Sequence, residues 1–189
     1  MAAPVNSFFE VRLDRLFELA RLVERAFAAA GIEYRVVGGL AVYLYVEEAS
    51  PDAGRLTRDI DLAVKREDIP RIAAAVEPFG LEYRHLAGVD MLVYRDAPSA
   101  KRAVHMVFTG EKVRPEYEAP VPPLSHAHTL DGIRLIALSD LIRMKLTSFR
   151  LKDQTHLKDM EEAGLITSEI DADLSPSMLE RLNQVRAAR

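Results

Sequence analysis

The chain has 189 residues, of which 49% are hydrophobic and 29% charged, and its formal net charge at pH 7 is −4. These values are typical of one globular domain, and the acidic balance argues against a surface that coats nucleic acid with basic side chains throughout. The chain lacks cysteine, which excludes disulfides, thiolate catalysis and zinc–cysteine sites and is compatible with the cytoplasm. No apolar run approaches the ~20 residues of a membrane span, and the N-terminus does not have the pattern of a secretory signal.

Residues 8–30 form the first predicted element, a long amphipathic helix that we expect to be scaffold. Its apolar residues recur with a helical period, and Gly31 follows in the position of a helix C-cap. A short strand over 34–37 comes next, after which Gly38 and Gly39 open an apolar run that predicts a second helix. Glycines at a helix N-terminus let a phosphate approach the backbone N–H groups.

A loop rich in helix-breaking residues leads from this helix to a second strand over 59–64. Asp59 and Asp61 project from the same face of that strand because side chains alternate. Two neighbouring carboxylates repel each other unless a cation lies between them, and magnesium is commonly held by one or two carboxylates plus substrate phosphates. Arg58, just before the pair, either contacts phosphate or pairs with an acidic neighbour.

These features are carried by Gly38-Gly39 and by Thr57-Arg58-Asp59-Ile60-Asp61-Leu62. They resemble the signature of the nucleotidyltransferase superfamily, which has the fold of DNA polymerase beta. They are most similar to the branch that holds the AbiEii-type toxins and the small antibiotic nucleotidyltransferases. The resemblance implies that the glycine pair binds a triphosphate and that the two aspartates bind two magnesium ions. The nineteen residues between Gly39 and Asp59 make a longer connection than the commonest members have.

The next segments predict a helix near 66–78 and three strands within 81–108. The simplest arrangement is an antiparallel extension of the first two strands, which gives a mixed sheet with helices packed on it, an α+β fold. The resemblance implies a third acid on the strand beside the one that carries the two aspartates. The matching run is 103–108, and His105 has the place of that acid.

His105 is open to several interpretations. A neutral imidazole accepts a proton at neutral pH, but it is a poorer ligand for magnesium than for manganese, zinc or iron. His105 is therefore a general base, a ligand for a softer metal, the mark of a weakened enzyme, or a structural residue. Asp90 and Glu111 are nearby acids that align less well.

The stretch 109–131 is rich in loop-forming residues, and its four prolines between 115 and 123 predict an extended path over the surface. His126 and His128 lie in this stretch without a cysteine or a third histidine beside them. We therefore expect them to be surface residues and not metal ligands.

Another strand is predicted over 134–138, and Ser139 is a suitable N-cap for the helix that follows. Lys145 falls within the apolar arc of that helix. A lysine in this place must extend to solvent, pair with an acid such as Asp59 or Asp61, or point into a cleft that holds negative charge.

This helix also resembles the family. The matching residues are Leu138, Asp140, Leu141, Ile142, Lys145, Arg150 and Lys152-Asp153. The resemblance covers about residues 34–160 and implies that Lys145 contacts the nucleotide phosphates. Arg150 either joins it in binding the nucleotide or is neutralised by Asp153 on a solvated face.

The remaining residues predict a connector and a last helix over 176–187, capped by Ser175, with a disordered basic tip from Arg186. We expect one domain over 1–189. Its core would be at about 30–110 and a C-terminal helical part at about 134–189.

The sequence therefore predicts a metal-dependent enzyme that moves a nucleoside monophosphate from a nucleoside triphosphate to a hydroxyl group. The expected catalytic residues are Asp59, Asp61 and His105, with Mg²⁺ or Mn²⁺ on the two aspartates; the expected nucleotide-binding residues are Gly38, Gly39, Arg58, Lys145 and Arg150. The acceptor is open between tRNA, a protein and a small molecule. The resembled branch implies a toxin with a cognate antitoxin as its partner. The alternative is a catalytically weakened protein that acts as a binding or regulatory subunit.

Overall fold

The computed structural model describes residues 5–55, 57, 59–99, 103–124 and 127–188, with side chains from residue 13 onward. The described strands are β1 (Tyr34–Val37), β2 (Ile60–Val64), β3 (Leu81–Leu86), β4 (Val89–Tyr94), β5 (Val104–Phe108), β6 (Ala127–Leu130) and β7 (Ile133–Ile136). The described α-helices are α1 (Val5–Ala29), α2 (Gly38–Ala49), α3 (Ile69–Val76), α4 (Leu138–Ser148), α5 (Leu151–Glu162), α6 (Ser168–Ala172) and α7 (Pro176–Ala187). Short 3-10 turns at Arg66–Asp68 and Glu77–Phe79 flank α3.

All seven strands join one sheet in the order β3-β4-β5-β2-β1-β7-β6. Its centre is mixed, because β1 is antiparallel to β2, whereas β2 runs parallel to β5 and β1 parallel to β7. The predicted α+β fold with a mixed sheet and flanking helices is confirmed. The register places Val37 of β1 opposite Asp61 of β2, and Asp61 opposite His105 of β5. Three neighbouring strands therefore bring these residues to one level of the sheet.

The helices after β7 share one hydrophobic core with the sheet. α2 packs against β1 and β2, α4 and α5 pack against α2, and α7 packs against α4 and α5. The main cluster of buried apolar side chains includes Phe27 of α1, Leu40 of α2, Leu62 of β2, Leu146 of α4 and Leu182 of α7. Among the described helices, none combines the length and the apolar character that crossing a membrane requires.

Two short elements were not predicted. β6 has no buried residue, so the apolar alternation that marks a strand is missing; its backbone pairing with β7 forms it at the sheet edge. α6 likewise has no buried residue. Short elements of this kind carry no hydrophobic period.

Two details of the prediction were wrong. Helix α4 begins at Leu138 with Ala137 as its N-cap, so Ser139 is inside the helix and does not cap it. The basic end of the chain is ordered through Arg186, which forms ion pairs with Glu161 at 2.9 Å and with Asp171 at 2.7 Å. The last helix and its cap are as predicted, because the Ser175 hydroxyl accepts a hydrogen bond from a backbone N–H in the first turn.

Candidate active site

The turn where β1 passes into α2 consists of Gly38 and Gly39, and we call it the glycine turn. Gly38 has a φ of +70°, and a Cβ built on it would lie 2.7 Å from Cγ of Asp61. A Cβ on Gly39 would lie 2.6 Å from Oγ1 of Thr57. Both positions therefore need glycine, since the carboxylate of Asp61 and the side chain of Thr57 occupy the space of a Cβ. The start of α2, with the positive end of its dipole, lies directly beside a carboxylate.

Asp61 and His105 are neighbours on adjacent parallel strands. His105 Nδ1 is 3.7 Å from Asp61 Oδ1, and both side chains are partly exposed. Asp59 lies one residue before β2 and is also partly exposed. His105 thus lies where the family resemblance implied a third acid, on the strand beside the two aspartates.

Neither nearby acid replaces His105. Asp90 is opposite Met106 on β5, whereas Met91 is opposite His105, so Asp90 faces the other side of the sheet. Its carboxylate accepts hydrogen bonds from Tyr83 at 2.5 Å and pairs with His85 at 2.9 Å. Burial would raise the pKa of Asp90, but these hydrogen bonds outweigh burial and lower it.

Glu111 is also engaged elsewhere. Both of its carboxylate oxygens accept hydrogen bonds from Arg66, at 2.6 and 2.7 Å. The hydrogen bond from Arg66 lowers the pKa of Glu111. Glu111 is therefore held in an ion pair with Arg66, away from Asp61.

A cavity of about 440 Å³ lies beside the glycine turn and Asp61. Its other walls come from α4, from the start of α5 and from the segment between β5 and β6. The charged residues among its described lining are five cations and one acid: Arg114, Arg143, Lys145, Arg150, Lys152 and Asp61. This excess of positive charge suits an anionic ligand such as a polyphosphate.

Lys145 is enclosed by protein at the cavity wall. It is 6% exposed, and its Nζ donates to Asp153 Oδ1 at 3.3 Å. Lys145 thus pairs with Asp153, and not with Asp59 or Asp61, which was one of the alternatives that the sequence left open. Burial lowers the pKa of Lys145, while the charges of Asp153 and Asp61 counteract that change.

Asp153 is fully buried and organises the junction of α4 and α5. Its carboxylate accepts hydrogen bonds from Arg150 Nε at 2.7 Å and from Ser148 Oγ at 2.8 Å. Burial alone would raise the pKa of Asp153, but the hydrogen bond from Arg150 and the charge of Lys145 lower it to about 2. Asp153 thus holds two of the cavity's cations in place. Arg150 pairs with Asp153, as in one of the two alternatives from the sequence, but this carboxylate is buried and not on a solvated face, because α5 packs inward at this point.

His156 was missed by the sequence analysis. It is 6% exposed, and its Cε1 is 3.6 Å from where a Cβ on Gly39 would lie. Burial, then the charges of Lys145 and Lys152, lower the pKa of His156 to about 4. A histidine inside a helix, outside any motif, offers no sequence signal for such a contact.

Arg114 and Arg143 were also missed, and both line the cavity. Arg143 is on the same helix as Lys145 and donates to Asp140 at 3.2 Å. Arg114 comes from a segment without regular secondary structure, whose path over the sheet has no local sequence pattern.

Two of the residues singled out from the sequence, Arg58 and His126, lie outside the described part of the chain. His128 is on the edge strand β6, where its Nε2 is 2.9 Å from Glu48 and its ring stacks on Tyr45. It is partly exposed and is not part of the cavity lining, in agreement with a surface role.

The carboxylates fit a divalent cation that is shared with a substrate. Within the described residues, no three histidine, aspartate or glutamate side chains are grouped so that they would hold an ion by themselves. Hard cations such as Mg²⁺ take oxygen ligands, often from one or two carboxylates plus phosphates. Asp59 and Asp61 could supply the carboxylate oxygens, and the cavity beside Asp61 has room for phosphate oxygens.

Comparison with protein-family models and with curated proteins gives no match. Among solved structures, an antigenic nucleotidyltransferase-like protein from Paracoccidioides brasiliensis is similar, with a TM-score of 0.60 and 20% identity over 93% of this chain and 89% of that chain. ANT(2'')-Ia in complex with adenylyl-2''-tobramycin is similar with a TM-score of 0.55 and 13% identity, over 90% and 98% of the two chains.

These likenesses, together with the sheet topology, show that the chain has the nucleotidyltransferase fold, as the two motifs predicted. At these identities the likeness shows the fold alone. The AbiEii-like branch within the superfamily stays a prediction from the sequence.

Proposed function

We propose that this protein is a metal-dependent nucleotidyltransferase, which transfers a nucleoside monophosphate from a nucleoside triphosphate to a hydroxyl group and releases pyrophosphate. The observation that carries this proposal is a single cavity lined by the glycine turn, Asp61 and the buried Lys145. These groups come from distant parts of the chain, and each has a separate use in binding a metal triphosphate.

The triphosphate would bind to the N-terminus of α2. Backbone N–H groups of the glycine turn would donate to phosphate oxygens, since the absence of Cβ atoms permits a close approach. Lys145 and Arg150 would neutralise phosphate charge from the opposite wall. Because Asp153 orients both cations beforehand, little reorganisation would be needed on binding. We include Arg58 in this set from the sequence resemblance.

Asp59 and Asp61 would hold Mg²⁺ or Mn²⁺ through their carboxylate oxygens. Such ions, when bound, stabilise the charge on the attacking and leaving oxygens of an in-line displacement. His105 would accept the proton of the acceptor hydroxyl, as a neutral imidazole does near neutral pH. The Asp61 carboxylate, 3.7 Å from Nδ1, would stabilise the protonated ring.

Charge favours one class of acceptor. The described cavity lining has five cations and one acid, and Asp153 and Asp140 beside it pair with three of those cations. The remaining surplus of positive charge would repel an acceptor with several amino groups and attract an acceptor with phosphates. Among the three open acceptor classes we therefore favour an RNA end. A toxin role with a cognate antitoxin rests on the sequence resemblance and stays a prediction.

Nucleotide binding gives the first test. Melting temperatures are measured with ATP, GTP, CTP and UTP, each with Mg²⁺ or Mn²⁺, in the wild type and in Asp61→Asn. We expect at least one nucleotide to stabilise the wild type in a metal-dependent way. The absence of stabilisation by every nucleotide with either metal would contradict an enzymatic role.

Transfer itself is measured with triphosphates labelled at the α-phosphate, offered with RNA, protein or amino-bearing small molecules. Asp59→Asn and Asp61→Asn should abolish labelling of the acceptor. If activity persists in both variants, the active site lies elsewhere. Labelling of amino-bearing small molecules, without labelling of RNA, would overturn the acceptor class.

The weakened enzyme is the alternative, and His105 is the observation that favours it. His105→Asp restores the expected third carboxylate beside Asp61. A large gain in transfer would mark the natural protein as weakened and assign it a binding or regulatory role. A loss of transfer would assign His105 a part in the reaction.

A further inference from the structure

Helix α5 carries three buried polar residues that are spaced three positions apart. Asp153, His156 and Asp159 are 0%, 6% and 7% exposed. Residues three apart on a helix lie on the same side, so they form one polar stripe that faces the protein interior. A buried polar stripe is costly to the fold unless its members contact polar groups. Asp153 holds Lys145 and Arg150, whereas His156 and Asp159 face a different segment.

That segment is the loop of residues 50–59, which connects α2 to β2 and ends in Asp59. Asp159 Oδ1 accepts a hydrogen bond from Arg55 Nε of this loop at 2.8 Å. The partners differ in exposure, because the Arg55 side chain is largely exposed and the Asp159 side chain is buried. An ion pair with one exposed partner contributes little to stability. We therefore interpret the buried Asp159 carboxylate as a group that positions the loop, and not as one that stabilises the fold.

His156 lies beside the glycine turn, as does the end of the loop. The ring of His156 and the Oγ1 of Thr57 both approach the position of a Cβ on Gly39, at 3.6 and 2.6 Å. Thr57 is two residues before Asp59, so the glycine turn is the place where α5 and the end of the loop come together. His156 Nδ1 and Asp159 Oδ2 are both buried and have no hydrogen-bond partner among the described residues. Each side chain therefore has a buried polar atom without such a partner, at a cost to the fold, while Asp159 pairs with the loop and His156 lies beside the glycine turn.

The start of the loop is held separately. Glu47 of α2 accepts hydrogen bonds from the backbone N–H of Gly54 at 2.7 Å and of Asp52 at 3.1 Å. The loop is therefore fixed near its beginning by α2 and near its end by α5. Restraints at both ends offset the conformational entropy of a long connection, which would otherwise leave Asp59 unrestrained.

We propose that Asp159 and His156 are positioning residues of the active site, which fasten the loop of residues 50–59 to α5 and so set Asp59 at its distance from Asp61. Neither residue is among the described residues that line the cavity. Their effect reaches the reaction through the carboxylate of Asp59, and the kinetic part of this inference rests on the proposed function.

Asp159→Asn is the main test, with Glu161→Gln as its matched control. Glu161 is on the same helix and pairs with Arg186 of α7, which is remote from the loop. For Asp159→Asn we expect a fall in kcat of about tenfold to hundredfold, as a small misplacement of a reacting group produces. We also expect a higher Mg²⁺ concentration for half-maximal activity, with a smaller change in KM for the nucleotide. Glu161→Gln should leave these three quantities as in the wild type.

A double variant shows whether Asp159 acts through Arg55. If it does, Arg55→Gln with Asp159→Asn should be no more impaired than Asp159→Asn alone, since both changes break the same contact. For His156 we expect His156→Ala to shift the Mg²⁺ dependence in the same direction and His156→Gln, which keeps a polar side chain, to restore part of it. If Asp159→Asn and Glu161→Gln have the same Mg²⁺ dependence and kcat, the inference is overturned.

Hydrogen exchange of the loop amides keeps the inference separate from the proposed function. In Asp159→Asn the amides of residues 52–55 and 57 should exchange at least tenfold faster than in the wild type, whereas Glu161→Gln should not change them. A wild-type protein without nucleotidyl transfer would refute the proposed function, and this exchange would still decide whether α5 holds the loop. Unchanged exchange in Asp159→Asn would overturn the inference, whatever the activity.

Discussion

The pair of Lys145 and Asp153 is the residue-scale feature on which the cavity's charge depends. Two opposite charges are enclosed by protein, and a third charge, on Arg150, is held at the surface by the same carboxylate. Buried pairs of this kind are weak evidence for stability, because removing both ions from water is costly. The position of this pair at the cavity wall is compatible with the proposed role of Lys145 in binding phosphate.

Replacing Asp153 by Leu should destabilise the protein, because Lys145 is then buried without a counterion. We expect a loss of about 3–5 kcal/mol in the free energy of unfolding, measured with urea. Adding Lys145→Met should recover much of this loss, because neither charge then remains. An equal loss in the single and the double variant would contradict the importance of the pair.

His156 gives a prediction for pH. The unfolded chain would protonate His156 near its ordinary pKa of 6.5, whereas burial and the charges of Lys145 and Lys152 lower the pKa in the folded protein to about 4. The unfolded state therefore binds more protons between these values, so the free energy of unfolding falls as pH falls from about 6.5 to about 4.

At pH 5 this contribution amounts to about 2 kcal/mol relative to pH 7.5. His156→Phe should lack it, so that its urea midpoint changes less than that of the wild type between these two pH values. The same change in both proteins would show that His156 does not stay neutral in the fold.

At the scale of elements, two connections build the site where regular structure ends. The glycine turn joins β1 to α2 against Asp61.

The other connection, residues 109–124, crosses the sheet as a strap between β5 and β6. The strap is held by a backbone bridge between Thr109 and Val121 and by hydrogen bonds of 2.6 Å from Ser175 and Ser177 to Glu118. Arg35 also donates to the carbonyl oxygen of Leu124. An irregular segment thus acquires a defined position, from which it contributes Arg114 to the cavity.

The glycine turn is tested by Gly38→Ala, with Gly132→Ala as its control. Both glycines have positive φ, +70° and +78°, so both substitutions incur strain of about 1–2 kcal/mol. Only at Gly38 would the new Cβ meet another group, the Asp61 carboxylate; at Gly132 no atom lies within 4 Å.

We expect Gly38→Ala to be the less stable variant in urea and to lose nucleotide binding, measured by calorimetry. Gly132→Ala should bind as the wild type does. Equal affinity in both variants would show that the phosphate does not approach the glycine turn.

On the scale of the whole molecule, the C-terminal helices and the sheet share their buried side chains. The main apolar cluster extends from Leu16 of α1 to Val185 of α7. Because α4 and α5 supply both core residues and the cationic wall, forming the core also assembles the site. The fold and the proposed activity therefore depend on the same packing.

A shared core predicts one cooperative unfolding transition. The calorimetric and van't Hoff enthalpies should agree within error in a thermal scan, and a bound nucleotide with metal should shift the whole transition upward. Two separate transitions, of which only one responds to nucleotide, would show that the helical part after residue 137 is an independent unit.

Much of the fold followed from local patterns. Strand β1, helix α2 and the amphipathic arc that contains Lys145 are each defined by residues a few positions apart, through side-chain period and glycine placement. The order of the two motifs predicted the nucleotidyltransferase fold. The neighbouring Leu141, Ile142 and Leu146 placed Lys145 on the apolar side of its helix, but the sequence left open whether its ammonium group reached solvent.

The sequence by itself thus determined which residues have the chemistry for a metal triphosphate, and on which elements they lie. Only the tertiary structure decided several of their partners, such as Asp153 for Lys145 and Asp159 for Arg55. Asp159 and Arg55 are 104 positions apart in the chain, and such contacts depend on how helices pack on the sheet. Periodicity records which side of a helix is buried, but it carries no information about the residue that the buried side meets.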